Sequence, residues 1–140
     1  KHDGTNGWKL SLLTTGYLRI TINAATYDST ATLASVGVID NSTVTILSSI
    51  TRESASTAGS VVLYVNWNAL GASVAITAGA PTTVNNAVSL YVMGTSTTRT
   101  AGSVNTAGLC NFAPSATDIA EVKANGGRIP YSSSKEDAFG

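Results

Sequence analysis

Charge is scarce in this sequence. Only 11% of its 140 residues are Asp, Glu, Lys or Arg, and the eight basic and eight acidic side chains cancel. A chain without a basic surplus has no electrostatic footing for nucleic acid or an anionic membrane surface, both of which need clustered positive charge. Cysteine occurs once, as Cys110, which excludes an intrachain disulfide and any cysteine-based metal site; a buried, inert thiol is the expectation. Histidine also occurs once, as His2 near the start, a poor place for the base of a Ser-His-Asp site. No apolar run approaches the ~18 residues of a membrane span. Aromatic residues make up 6% of the chain, which leaves few side chains for stacking on a ligand.

What remains is Ser, Thr, Ala, Val and Gly in a length sufficient for one domain with a sizeable core. The stretch around which the rest is arranged is 61–71, VVLYVNWNALG. A β-branched and aromatic run meets a short polar turn and then apolar residues resume, which is the pattern of a hairpin. Earlier, Trp8, Leu10 and Leu12 alternate with polar residues and are expected on one face. Thr14-Thr15-Gly16 supplies a turn, and Leu18, Ile20 and Ile22 alternate in the returning strand. Residues 24–37 show little periodicity and read as a long loop with a turn at Tyr27-Asp28-Ser29 and at most a short strand over 32–36. A strand is expected over 43–52, with Val44, Ile46 and Ile50 inward, and another over 70–76, ended by Ala78-Gly79-Ala80-Pro81. Further strands are expected over 87–94 and 103–112. The helix signal lies in 114–126: Ser115 caps, Asp118 favours the helix N-terminus, Gly126 stops it, and Ile119 and Val122 share a face. The expected class is all-β, an antiparallel two-sheet sandwich with one short helix near the C-terminus.

The order of these segments resembles the laminin-G-like, concanavalin A-like jelly rolls found in lectins, bacterial surface proteins and phage tail and virion proteins. Trp8 to Leu18 is similar to that family's opening hairpin, Leu63-Tyr64-Val65-Asn66 to its "LYV(N/D)G" hairpin, Leu90-Tyr91-Val92 to its "LYIG" strand, and Asp118-Ile119-Ala120 with Ala124-Asn125-Gly126 to its "LSAAEIAALYANG" ending. Asn111 falls at the family's asparagine position, whereas the family's "WHHVAVTR" strand has lost its tryptophan and histidines in 43–52. The resemblance implies a jelly-roll domain over 1–127 and a polar arm or linker over 128–140. It also implies an earlier strand, for which residues 1–6 leave almost no sequence, so the sheet is expected to be completed by the arm or by another chain.

Glycosidases on such folds carry close strand carboxylates, an ionised one beside a protonated one. Here the close acidic pairs are Asp118 with Glu121, on the expected helix, and Glu136-Asp137 in the arm, so no catalytic residues are assigned and the chain is not read as an enzyme. No cofactor is implied. Calcium takes six to eight oxygen ligands, and Asp28, Asp40 and Asn41 are the candidates for it. The contact residues chosen are Trp67, Asn66, Asn68, Tyr27 and Arg99. Trp67 stands where the family's turn has glycine, and a forced positive φ there predicts that the turn shifts to Trp67-Asn68. Its indole either meets a sugar or a neighbouring subunit, or folds back on its own sheet. Two functions follow: a structural or adhesion module of a virion, tail or cell-surface assembly, or a glycan-binding domain. The partners are then other copies of itself, a larger structural polypeptide or a cell-surface glycan, and the location is extracellular or on a virion.

Overall fold

The computed structural model describes residues 2–40, 42–84 and 114–126. Two antiparallel sheets account for most of them. The first has the order β1–β2–β3, from Trp8–Leu12, Leu18–Ile22 and Ala25–Asp28. The second is built on β4 (Ile46–Thr51) and β5 (Gly59–Val65), with β6 (Asn68–Ala69) and β7 (Val74–Ile76) paired in succession along the far side of β5. One helix, α1 (Ala116–Ala124), follows. Each sheet is a meander of neighbouring strands; the crossings between sheets that define a jelly roll are not among the described pairings.

The first hairpin forms as its alternation dictates. Gly16, at φ 83°, lets the chain turn, and the Leu13 and Tyr17 backbone groups close the turn at 2.9 Å. Leu18, Ile20 and Ile22 then point inward and are buried. Trp8 and Leu10 pack on the same core, but Leu12, at the end of the strand, is 59% exposed.

The supposed loop after Ile22 is instead a third strand. Asn23 takes φ 53°, and the two-residue turn Asn23-Ala24 brings Ala25 opposite Ile22. Tyr27 and Asp28 are therefore strand residues facing Ile20 and Arg19, not a turn. Ser29 ends the strand: its N–H donates to the Leu18 carbonyl and its hydroxyl accepts from the Leu18 N–H. Where a short strand over 32–36 was expected, Ala34–Val36 forms a 3-10 turn, closed by Gly37 at φ 79°.

In the second sheet β5 alternates fully, with Gly59, Val61, Leu63 and Val65 buried. Val44 and Ile50 pack against the core as expected, whereas Ile46 is 38% exposed. Leu18, Ile20, Ile22 and Leu33 from the first half and Val61, Leu63, Val65, Leu70 and Ile76 from the second form one cluster, so the sheets share a single core. The expected strand 70–76 is broken at Leu70–Ser73. Gly71 adopts φ 85°, and the Ala72 N–H donates to Thr30 Oγ1 at 2.6 Å, tying the loop to the end of the first sheet. A Cβ on Gly71 would collide with that hydroxyl. Leu70 is thereby held inward at 1% exposure, its N–H donating to the Leu63 carbonyl.

The helix follows its sequence signals. Ser115 Oγ accepts from the Asp118 N–H and the Asp118 carboxylate accepts from the Ser115 N–H, a reciprocal capping box. Asn125 and Gly126, at φ 65°, end it, and Ile119 is its buried residue. Ser49 Oγ of β4 donates to the Pro114 carbonyl, which seats the start of the helix against the second sheet. Among the described residues no helix is long and apolar enough to cross a membrane. The strands expected over 87–94 and 103–112, the arm 128–140, and Asn41, Arg99, Cys110 and Asn111 lie outside the described residues.

Candidate functional site

The β5–β6 hairpin closes on the pair Val65 and Asn68, leaving Asn66 and Trp67 as a two-residue turn. Both take positive φ, 49° and 68°. That sign pattern belongs to the hairpin turn whose twist matches the right-handed twist of its strands. Asparagine accepts it readily; tryptophan does so at about 1–2 kcal/mol. The turn therefore has not moved to Trp67-Asn68, and the expectation of a shift is corrected.

Register explains why. Thr45, just before β4, grips Asn66 on both sides: the Asn66 N–H donates to its carbonyl at 2.9 Å, and its own N–H donates to Asn66 Oδ1 at 3.1 Å. Asn68 Nδ2 donates to the Asn66 carbonyl at 3.1 Å. Sliding the turn by one residue would flip every following side chain to the opposite face and expel Leu70 from the core. Losing a fully buried leucine outweighs the backbone cost at Trp67.

The indole itself is half-buried, yet it is not among the side chains that pack on the core. Asn66 and Asn68 flank it and are exposed. One group of each amide, Asn66 Oδ1 and Asn68 Nδ2, is spent on the turn. Ile46, exposed and paired with Val65, lies one step from the turn.

The other chosen residues go elsewhere. Tyr27 sits on β3 of the first sheet and packs against the core. Asp28 lies across from Arg19, whose Nε and a terminal nitrogen donate to its two oxygens at 2.6 and 2.7 Å. This hydrogen bonding holds the Asp28 carboxyl below its usual range, and both oxygens are already engaged by a cation. Asp40 is exposed. Among the described residues no three of His, Cys, Asp or Glu gather where they could hold a metal ion.

Two polar features were not singled out from the sequence. Arg52 and its neighbour Glu53 pair in parallel at 2.9 Å, and the guanidinium holds the Glu53 carboxyl down at about 2. Arg52 also reaches the Thr82 carbonyl at 3.3 Å. Asn23 is a junction. Its backbone bonds Gly7, its Oδ1 accepts from the Gly7 N–H, and its Nδ2 donates to Thr82 Oγ1 and the Thr83 carbonyl. Its carbonyl accepts from His2 Nε2 at 2.7 Å; Nδ1 accepts from the Gly4 N–H, which fixes the proton on Nε2. The segment before β1 is thus a closed loop, bridged from His2 to Gly7. Nothing but the turn-forming habit of asparagine announced this junction.

Polar satisfaction is complete in this region, since no buried side-chain donor or acceptor among the described residues lacks a partner. A scan against protein-family models and searches of curated proteins and of solved structures find no match to the chain.

Proposed function

We propose that the chain is a non-catalytic structural or adhesion module of a virion, tail or cell-surface assembly, working outside the cell or on a particle, on a laminin-G-like jelly-roll variant of the sandwich. One observation carries the reading: Trp67 is kept at a strained turn position although it is not among the described side chains that pack on the core. A backbone cost at a side chain the core does not need is the mark of a residue retained for contact. The exposed Ile46, paired with Val65 beside the turn, suits a protein neighbour. The hairpin in 61–71 and the capped helix at 116–124 stand where the family resemblance puts them, which supports the finer fold.

A glycan partner is the second reading, favoured by the aromatic ring between two amides; the engagement of Asn66 Oδ1 and Asn68 Nδ2 within the turn weighs against it.

The test is Trp67→Gly. Asn-Gly is the sequence the turn prefers, so the substitution removes the indole and relieves the backbone. Self-association by sedimentation and binding on a glycan array are compared with the wild-type chain. Loss of association at an unchanged or raised melting temperature supports an assembly contact, and loss of sugar binding supports the glycan reading. A large fall in melting temperature would show that Trp67 serves the fold alone, and the proposal would be wrong.

A further inference from the structure

Two Asn-Gly pairs occur in the chain, Asn6-Gly7 and Asn125-Gly126, and the fold holds them in different ways. Such a pair is open to self-attack, because glycine has no Cβ to shield its nitrogen from the preceding side chain. At the end of α1 the reacting groups are tied down. Asn125 Nδ2 donates to the Glu121 carbonyl at 2.8 Å, and the Gly126 N–H donates to the Lys123 carbonyl at 3.1 Å. The backbone adds a geometric block. Ring closure needs the Asn125 Cβ and the Gly126 nitrogen nearly eclipsed about the Cα–C bond. At φ −89° and ψ 22° they stand almost opposite, and the eclipsed form lies outside the allowed α and β regions.

These bonds are local, made between residues three and four apart, so the last turn of α1 opens without parting either sheet. Asn125 and Gly126 are exposed. Asn6-Gly7 is bound across the fold instead. Gly7 is buried, its N–H donates to Asn23 Oδ1 at 2.9 Å, and its carbonyl accepts from the Asn23 N–H at 2.7 Å. The Asn6 N–H donates to Asp3 Oδ1 at 2.6 Å. Freeing the Gly7 nitrogen means pulling the loop before β1 away from the turn between β2 and β3, a larger opening.

We propose that Asn125-Gly126 is a self-modifying site, where deamidation is held off by the helix cap and released when the last turn of α1 opens. In the opened form the Gly126 nitrogen gives its proton to solvent and bonds to Asn125 Cγ. The Cγ–Nδ2 bond breaks, and Nδ2 takes a proton from solvent and leaves as ammonia. Water then adds to one carbonyl of the cyclic imide and breaks that carbonyl's bond to the Gly126 nitrogen, which regains a proton. Opening at Cγ gives aspartate; opening at the Asn125 backbone carbonyl gives isoaspartate, with the chain running through the side chain. Water is the co-reactant and nothing is oxidised or reduced. The change runs one way. Either product exchanges the Nδ2 donor for an oxygen that the Glu121 carbonyl repels, and sets a negative charge at the negative end of the helix dipole. The modified helix thus loses this cap and its last turn stays loosened. The proposal concerns α1 and stands apart from the Trp67 contact.

The experiment holds the whole chain at mildly alkaline pH in native buffer and, in parallel, in unfolding urea, and follows the two Asn-Gly peptides by mass spectrometry. In urea both pairs, being the same dipeptide, should convert at similar rates. In native buffer Asn125 should convert about tenfold or more slowly than in urea, and Asn6 about tenfold more slowly again. Ala124→Gly, at an exposed position in the last turn, should speed native conversion of Asn125 about fivefold through lost helix propensity and leave the urea rate unchanged. In Asn125→Asp the amides of residues 122–125 should exchange about tenfold faster. Equal Asn125 rates in native buffer and urea would show that the cap guards nothing and overturn the proposal. A native Asn125 rate no faster than that of Asn6, or unmoved by Ala124→Gly, would equally overturn it, because opening of the helix end would not be what admits the reaction. Unchanged exchange in Asn125→Asp would overturn the one-way loosening.

Discussion

Replacing Gly71 by alanine tests the tie between the two halves of the core. At φ 85° an alanine adopts the left-handed region at about 1–2 kcal/mol. Its Cβ would meet Thr30 Oγ1, and the Ala31 nitrogen stands 3.0 Å away. Relief requires Thr30 to swing out, which forfeits the bond from the Ala72 N–H, worth about 1 kcal/mol. Reduced freedom of the unfolded chain returns about 0.4–1 kcal/mol. The expected net loss is about 1–2.5 kcal/mol, measured as a lower urea midpoint with unchanged slope, followed by tryptophan fluorescence. The partner experiment is the same substitution in a Thr30→Ala background. There the hydroxyl is already gone, so the cost should fall to the backbone part, leaving a coupling of about 1 kcal/mol. A Gly71→Ala loss below about 0.5 kcal/mol would refute the backbone argument. An equal loss in both backgrounds would refute the role of Thr30.

Two other outcomes follow from the packing and the ion pairs. Ile20→Ala, at 0% exposure in the shared core, should cost about 2–5 kcal/mol, whereas Leu12→Ala, at 59%, should stay within about 0.5 kcal/mol in the same denaturant assay. Glu53 should titrate by carbon-detected NMR at about 2, well below its ordinary 4.5. Because its folded value is depressed, the stability it contributes is complete above the unfolded value and fades as pH falls from about 4.5 through about 2. Arg52→Gln should return that carboxyl toward its ordinary value; a Glu53 titration near 4.5 in the wild-type chain would remove the pairing argument.

The parts of this fold that could be read from residues alone are those where local chemistry and packing agree. Leu18, Ile20 and Ile22 alternate and are buried; Ser115, Asp118 and Gly126 mark a helix and bound it. The strand Ala25–Asp28 escaped because its first two residues are exposed and it carries no apolar alternation; it is held by the Asn23 turn and the Arg19–Asp28 pair across it. The break after Ala69 escaped because its cause is Thr30, forty residues away in sequence and on the other side of the core. Trp67 shows the same limit at the candidate site. Its identity argued for moving the turn, while the grip of Thr45 on Asn66 and the burial of Leu70 kept it in place. Propensity described the residue correctly and tertiary contacts decided the outcome.

The meandering connectivity bears on how such a chain comes into being. Each sheet is drawn from one uninterrupted stretch, residues 8–28 and then 46–76, so nearly every strand meets its neighbour soon after it is made. Low sequence separation favours fast closure. During synthesis the first stretch can zip up while the second is still inside the ribosome. For that interval Leu18, Ile20 and Ile22 have no opposing layer, and the nascent three-stranded leaf carries an open greasy face until Val61, Leu63 and Val65 arrive to cover it.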